Sequence, residues 1–334
     1  MNSSKRVLAS LFVALALLAT ACGGGDDETG DGGGNDDSSR LTISGSSTVE
    51  PITARVGEAF NAANPSVGVT VEGPGTGDGF KRFCAGETEV SDASRPIKDV
   101  EAQSCAEAGI NYVELKVAFD GLTVMTAPGN DAVSCLDFAD LYALIGPESE
   151  GFDSWNDASA LGAELGGGHA PYPDAPLVIT APGEESGTYD TFVEFVIEDP
   201  AEERGQDAAA RADYQASAND NVIVENIAGN ATSLGWVGYA FYVENQGTLK
   251  AIDIDGGSGC IAPSDASIAD GSYPLSRALY VYVNTDKAAE NQSLADFVDY
   301  YLSDEGLASV AAAGYVDLPA NEIQTTRDAW NASR

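Results

Sequence analysis

From residue 40 onward, the chain alternates between short strand-like and longer helix-like patterns of apolar residues. Residues 40–44 (RLTIS) form a short β-rich run, and apolar side chains then recur every three or four positions across residues 49–60. The polar turn Gly-Ser-Ser-Thr, residues 45–48, lies between them. This order predicts a strand, a turn and a helix.

The same order of strand, turn and helix occurs twice more. The second unit has a strand at 67–71 and a glycine-rich turn at 73–79 (GPGTGDG). The third has a strand at 177–180 and a turn at 182–187 (PGEESG), and a helical pattern follows each turn. The three units share their layout but have no common sequence repeat.

Turns of this composition at the start of a helix suit the capture of an anion. The first N–H groups of a helix have no intrahelical partner and carry the positive end of its dipole, so they attract phosphate or sulfate. The ordinary alternative for any single turn is a helix N-cap. Three such turns in one chain favour anion binding. The turn at 73–79 is neither a Walker A loop nor a GxGxxG fingerprint, because the required spacings are missing.

A candidate positive charge follows a fourth polar segment. Ser94 and Arg95 precede Pro96 at the end of a predicted strand, residues 89–93. The planar guanidinium of arginine matches an oxyanion through parallel donors. A surface turn is the equally weighted alternative for Arg95.

The composition excludes several classes of function. The 334 residues include 53 Asp and Glu against 16 Lys and Arg, a formal net charge of −37. Binding to nucleic acid needs clustered basic residues, so nucleic acid is excluded as a partner. We interpret the acidic surplus as a strongly hydrated surface. The single histidine, His169, argues against a histidine-rich metal site, and we predict neither a metal nor a cofactor.

The first 39 residues predict export and a lipid anchor. Lys5 and Arg6 precede an apolar run at 7–19, which is shorter than a membrane-spanning helix requires. Small residues then lead to Cys22, which predicts a signal peptide at residues 1–21 and acylation of the Cys22 thiol. Residues 22–39 are rich in glycine and aspartate and predict a flexible tether.

Four other cysteines remain, and an even number in an exported chain favours two disulfides. Four cysteines allow three pairings. Because Cys84 and Cys105 lie close together on flanking helical segments, we predict the pairs Cys84–Cys105 and Cys135–Cys260. The alternative is a zinc site, which the absence of any C-x-x-C spacing disfavours.

Five segments in order give the chain a resemblance to a known family. From about Thr42 to Pro319 it resembles the phosphate-binding lipoproteins of bacterial phosphate ABC importers, the PstS family. The segments that carry the resemblance are ISGSSTVEP (43–51), GTGDGFKRFCAGE (75–87), DASRPIK (92–98), PGEESGTYDTF (182–192) and YPLSRALYVYVN (273–284).

The resemblance implies an α/β fold of the type II periplasmic-binding-protein class. Such a protein has two lobes, each with a doubly wound mixed sheet, and a hinge formed by two crossing segments. One lobe is expected to comprise residues 40–119 and 246–334, and the other residues 120–245. The crossings are expected at 115–126 and 234–242.

The resemblance also implies the residues of the ligand site. The expected phosphate-binding residues are Ser46, Ser47, Thr48, Thr76, Ser94, Arg95, Ser186, Gly187 and Thr188. Two positions depart from the best-studied branch of the family, which carries Asp where this chain has Arg95 and Arg where it has Pro182. The carboxylate that accepts the phosphate proton is therefore left open among Asp92, Asp120 and Glu185.

The expected function is capture of inorganic phosphate outside the cytoplasm and its delivery to the permease subunits of an ABC importer. We expect a monomer that is held at the membrane by its lipid anchor and is not an enzyme. The first alternative is a binding protein for another oxyanion, sulfate or molybdate. The second is an exported serine hydrolase using Ser46 or Ser186, for which His169 is the only available histidine base.

Overall fold

The computed structural model describes residues 40–184 and 186–334. The predicted signal peptide, the acylation site Cys22 and the tether up to residue 39 lie outside the described residues, and so does Glu185. Every helix in the described part is too short or too polar to cross a membrane.

Twelve strands occur in the described residues. Their bounds are Arg40–Gly45 (β1), Gly68–Glu72 (β2), Val90–Ala93 (β3), Tyr112–Thr126 (β4), Cys135–Asp137 (β5), Val178–Ala181 (β6), Gln215–Ala216 (β7), Ser233–Gly238 (β8), Lys250–Ala251 (β9), Asp253–Asp255 (β10), Cys260–Ile261 (β11) and Ser276–Asn284 (β12).

Fourteen α-helices accompany these strands in the same part of the chain. Their bounds are Glu50–Ala63 (α1), Thr76–Cys84 (α2), Asp99–Glu107 (α3), Phe138–Ile145 (α4), Ser159–Leu165 (α5), Gly187–Phe192 (α6), Glu198–Arg204 (α7), Asp220–Gly229 (α8), Tyr239–Asn245 (α9), Asp265–Ala269 (α10), Thr285–Glu290 (α11), Gln292–Tyr301 (α12), Asp304–Ala312 (α13) and Ala320–Ala332 (α14). A π-helical segment, Val193–Ile197, joins α6 to α7.

Nine strands form one mixed sheet in the order β2-β1-β3-β12-β4-β8-β6-β7, with β9 paired to β4. β1 is parallel to β2 and β3, whereas β12 is antiparallel to β3 and β4. β4 has 15 residues; it pairs with β12 as far as Gly121 and with β8 from Leu122 onward. The two expected sheets are therefore continuous through β4. Strands β11, β10 and β5 form a second, small sheet.

Helices cover both faces of the large sheet. On β12, Val281 packs against the α1 side, in a cluster that includes Ile52. The next residue, Tyr282, points to the opposite face, where its ring lies 4.9 Å from that of Phe80 in α2. Alternate residues of a strand face opposite sides of a sheet, so this pattern places one helical layer on each side. The predicted α/β, doubly wound character is confirmed.

The predicted strand, turn and helix units occur with shifted boundaries. In α1 the buried side chains Ile52, Val56 and Phe60 recur every four residues and attach the helix to the sheet. α2 begins at Thr76, four residues before Phe80, where the helix was expected to start. The last four residues of the glycine-rich segment form the first turn of this helix.

Residues 246–275 pack differently from what the expected division into lobes implies, since that division assigns them to the first lobe. Ile254 and Leu275 pack with Trp236 in one core cluster, whereas Val281 belongs to the cluster around α1. Residues 246–275 thus share a core with the segment expected to form the second lobe. The lobe boundaries themselves stay a prediction.

Both predicted disulfides are present. Cys84 bonds to Cys105 and links α2 to α3. Cys135 bonds to Cys260 and links the two outer strands of the small sheet, β5 and β11. The cysteine pairing derived from the sequence is confirmed.

Candidate functional site

The first polar turn, residues 45–48, connects β1 to α1. The Ser46 amide donates to the carbonyl oxygen of Asp92 over 2.9 Å, which fixes the turn to the end of β3. The Ser46 hydroxyl accepts a hydrogen bond from the Thr48 amide over 3.2 Å. A Cβ atom at Gly45 would lie 2.0 Å from the Asp92 carbonyl oxygen, so only glycine permits this close approach.

The second turn lies directly beside the first. The Gly75 amide donates to the Gly45 carbonyl over 2.8 Å, and Gly75 has a φ of 107°, which favours glycine. The Thr76 and Ser94 hydroxyl oxygens are 2.9 Å apart, and the Ser94 amide donates to Thr76 Oγ1 over 3.2 Å. The structure thus brings together the predicted residues of two separate segments.

The third turn starts α6 and faces the first. The Ser186 hydroxyl accepts a hydrogen bond from the Thr188 amide over 3.2 Å and caps the helix. One turn further along α6, the Thr191 hydroxyl oxygen lies 3.4 Å from that of Thr48. The helix starts at residues 46–48 and 186–188 are therefore neighbours, although 143 residues separate Thr48 from Thr191.

Arg277, a residue that the sequence analysis did not select, connects these two turns. It lies near the start of β12, and its side chain is 11% exposed. Its Nη2 atom donates to the hydroxyl oxygens of Thr48 and Thr191, each over 3.1 Å. Its Nη1 atom donates to Glu194 Oε2 over 2.6 Å. Among the described residues, Arg277 is the one cation that hydrogen-bonds side chains of both the first turn and α6.

Asp120 completes the surroundings of this arginine. Its Oδ2 atom lies 3.5 Å from Arg277 Nε, an ionic contact without hydrogen-bond geometry, and accepts a hydrogen bond from Thr191 over 3.4 Å. Asp120 is 5% exposed. Burial raises the pKa of the Asp120 carboxyl, and the nearby Arg277 charge partly opposes that rise.

Asp92, the second candidate acceptor, lies in different surroundings. It is fully buried, and its Oδ1 atom accepts a hydrogen bond from the Thr53 hydroxyl over 3.0 Å. Thr53 in turn contacts the Tyr301 hydroxyl, 3.1 Å away. Burial raises the pKa of the Asp92 carboxyl to about 8. The side-chain partner of Asp92, Thr53, thus lies on the buried side of α1. Asp120 instead contacts Thr191 and Arg277, which belong to the site.

Arg95, the predicted cation, borders the second turn but is already paired. Its Nη2 and Nη1 atoms bind Glu101 Oε1 and Oε2 at 2.8 and 2.9 Å, a bidentate ion pair. Its guanidinium also lies over the Phe80 ring, 5.6 Å from the centroid. The Glu101 side chain is 16% exposed, so this pair is well sheltered.

A cavity of about 270 Å³ adjoins the site. Asp120, Thr188 and Thr191 line it together with residues of α9 and the end of α13. The predicted residues at the start of α6 therefore face open space that a small ligand can enter.

Comparison with known proteins identifies the family of the chain. Residues 28–305 match the PBP superfamily domain. Over 296 residues the chain is 37% identical to the SphX protein of Synechocystis sp., a match covering 88% of this chain and 83% of that protein. Over 279 residues it is 35% identical to the phosphate-binding protein PstS of Staphylococcus saprophyticus, covering 83% and 80%. The chain belongs to the PstS family of the PBP superfamily.

A solved structure supports the same assignment. The crystal structure of a possible phosphate binding protein from Planctomyces limnophilus superposes with a TM-score of 0.80 at 34% identity, over 88% of this chain and 98% of that one. The PstS-family resemblance and the PBP-like fold expected from the sequence are confirmed.

The histidine required by the hydrolase alternative is engaged elsewhere. His169 Nδ1 lies 2.6 Å from Asp140 Oδ2, and Asp140 is fully buried at the start of α4. The Ser46 and Ser186 hydroxyls accept hydrogen bonds within their own turns. In the described part of this PstS-family chain, no hydrogen bond joins His169 to either serine.

Proposed function

We propose that this protein binds inorganic phosphate between the three helix-start turns and delivers it to the permease of an ABC importer. The observation that carries the proposal is the position of Arg277, whose Nη2 atom hydrogen-bonds Thr48 and Thr191 at once. One buried cation thereby donates to hydroxyl groups of two chain segments. Such an arrangement suits a small, compact anion.

The donors at this site match the geometry of a tetrahedral oxyanion. Phosphate offers four oxygens in different directions, and the turns at residues 46–48, 76 and 186–188 supply N–H and hydroxyl donors from separate segments. Helix starts contribute partial positive charge without a mobile side chain. We propose that Ser46, Ser47, Thr48, Thr76, Ser94, Ser186, Gly187 and Thr188 contribute these donors, with Arg277 as the main cation and Arg95 as a secondary one.

Asp120 is the proposed acceptor of the phosphate proton. It contacts Thr191 and lies 3.5 Å from Arg277, whereas the described hydrogen bond of Asp92 points towards Thr53. Hydrogen phosphate can donate its P–OH proton to a carboxylate, but sulfate has no proton to donate. A sulfate oxygen that faces the buried Asp120 carboxylate has no proton to share, so both oxygens lack a hydrogen bond. Sulfate should therefore bind much more weakly than phosphate.

Membership of the family supports the parts of the proposal that concern transport and location. The chain is 35% identical over 279 residues to a protein named phosphate-binding protein PstS. We therefore propose a carrier outside the cytoplasm, a binding protein and not an enzyme. The lipid anchor at Cys22, the monomeric state and the contact with permease subunits are part of this proposal.

The proposal is tested by titrating the purified protein with phosphate, sulfate and molybdate in separate calorimetric runs at pH 7. We expect one phosphate per chain and much weaker binding of the other two anions. If sulfate or molybdate binds more tightly than phosphate, that anion becomes the assigned ligand. Absence of binding by all three would overturn the proposal.

A further inference from the structure

The cation of the proposed site already has a carboxylate partner within the chain. Glu194 Oε2 lies 2.6 Å from Arg277 Nη1, at the distance of a charge-assisted hydrogen bond. The two side chains differ in exposure, because Arg277 is 11% exposed and Glu194 is 46% exposed. A buried, fixed cation is thus paired with a carboxylate that reaches it from the solvent side.

Glu194 is carried by the same helical run as the third turn. It lies in the π-helical segment Val193–Ile197, which continues α6 without a break. Thr191 and Glu194 are three residues apart, a spacing that brings side chains to the same side of a helical run. One helical run therefore presents Arg277 with a hydroxyl at Nη2 and a carboxylate at Nη1.

The donors of Arg277 are largely occupied by this arrangement. Nη2 is used by the two threonine hydroxyls, and Nη1 by Glu194. Of the five N–H donors of the guanidinium, the second on Nη1 and the one on Nε remain, and Nε is buried without a hydrogen-bond partner among the described residues. Arginine binds an oxyanion best through two parallel N–H groups. An incoming anion therefore competes with Glu194 for the guanidinium.

We propose that Glu194 is an internal competitor that binds Arg277 before the anion arrives and is displaced when the anion binds. This inference rests on the proposed function, because it assigns phosphate to the site that contains Arg277. Displacement is feasible because Glu194 is half exposed and gains hydration when it leaves. Asp120, which is buried on the other side of the arginine, stays in place. Glu194 thereby limits affinity and favours release of the ligand.

The test compares Glu194→Gln with a matched control, Glu198→Gln. Glu198 is exposed, lies four residues further along the same helical run and has no described ion pair. Both variants remove one negative charge from this run, but only Glu194→Gln removes the competitor. An ion pair with a half-exposed partner is weak, so we expect Glu194→Gln to bind phosphate about two- to fivefold more tightly than Glu198→Gln.

The outcomes separate the two proposals. Suppose that the wild-type protein binds phosphate but Glu194→Gln binds it no more tightly than Glu198→Gln. This result overturns the role of Glu194 as a competitor and leaves the proposed function intact. Weaker binding by Glu194→Gln would show instead that Glu194 positions Arg277. A wild-type protein that does not bind phosphate overturns both proposals.

A second measurement follows the displacement directly. In carboxyl ¹³C NMR spectra of the wild-type chain, saturating phosphate should shift the Glu194 resonance, identified by its loss in Glu194→Gln, and leave the Glu198 resonance unchanged. A Glu194 resonance that does not move would contradict the proposal whatever the affinities are.

Discussion

Asp120 Oδ2 lies 3.5 Å from Arg277 Nε, and both side chains are nearly buried. The two residues pair across adjacent antiparallel strands, since Arg277 of β12 stands opposite Asp120 of β4 in the sheet. The proposed cation and the proposed proton acceptor are therefore held by backbone hydrogen bonds and not by flexible loops. A site built in this way can distinguish anions by their protonation.

Replacement of Asp120 by asparagine should reduce selectivity for phosphate over sulfate. In the wild type, the Asp120 carboxylate accepts the phosphate proton and repels an unprotonated sulfate oxygen. An amide can donate to sulfate, so the preference should fall by about tenfold or more. Calorimetric titration of wild type and Asp120→Asn with both anions measures the ratio. An unchanged ratio would place the proton acceptor elsewhere, with Asp92 and Glu185 as the remaining candidates.

Replacement of Arg95 by alanine should affect folding more than binding. Its guanidinium is taken up by the bidentate pair with Glu101, which is well sheltered. Removing Arg95 leaves Glu101 without its ionic partner, so the melting temperature should fall while phosphate affinity changes less than in Arg277→Ala. Thermal denaturation and titration of the same preparation measure both effects. A larger affinity loss than in Arg277→Ala would make Arg95 the main cation.

Much of this site could be predicted because its signals are local. The three turns are visible in the sequence, since glycine and hydroxyl residues stand directly between a strand and a helix. The disulfides could be chosen from the positions of four cysteines. These features depend on neighbours in the chain, and the structure contains the three turns and both disulfides.

Arg277 could not be chosen in this way, because its role depends on distant residues. Its partner Thr48 is 229 positions away, and Thr191 is 86 positions away. The local signal is a basic residue near the start of a mostly apolar strand, within the segment 273–284 that supported the family resemblance. Arg95 had the stronger local context, but Glu101, six residues on, already binds its guanidinium.

Asp92 should make the stability of the protein depend on pH. Its folded pKa is raised to about 8 by burial, above the ordinary value of 3.8. Between these two values the unfolded chain has lost the proton and the folded chain retains it, so the unfolded state binds fewer protons and stability falls as pH rises. Below pH about 4 the carboxyl is protonated in both states and contributes no pH dependence.

The measurement is the free energy of unfolding of wild type and Asp92→Asn in urea from pH 4 to 9. The difference, wild type minus variant, should fall by an amount on the order of a few kcal/mol as pH rises to about 8, and then level off. A difference that is constant over this range would show that Asp92 titrates normally in the folded protein.

The two disulfides should contribute unequally to stability. Cys135 and Cys260 are 125 residues apart, whereas Cys84 and Cys105 are 21 residues apart. If the main effect is restriction of the unfolded chain, loss of the longer loop should destabilise the protein by about 5 kcal/mol and loss of the shorter by about 3 kcal/mol. Chemical denaturation of the two paired Cys→Ser variants measures both values. The reverse order would argue against a loop-entropy origin.

The most direct test of the central claim is a phosphate titration of Arg277→Ala beside wild type, with Arg204→Ala as the matched control. Arg204 is paired with Glu148 and Glu164, and none of its described hydrogen bonds or ion pairs reaches the three turns. Loss of one member of a buried charge pair predicts that Arg277→Ala weakens phosphate binding by about 2–5 kcal/mol, whereas Arg204→Ala binds like wild type. Wild-type affinity in a folded Arg277→Ala protein would contradict the account.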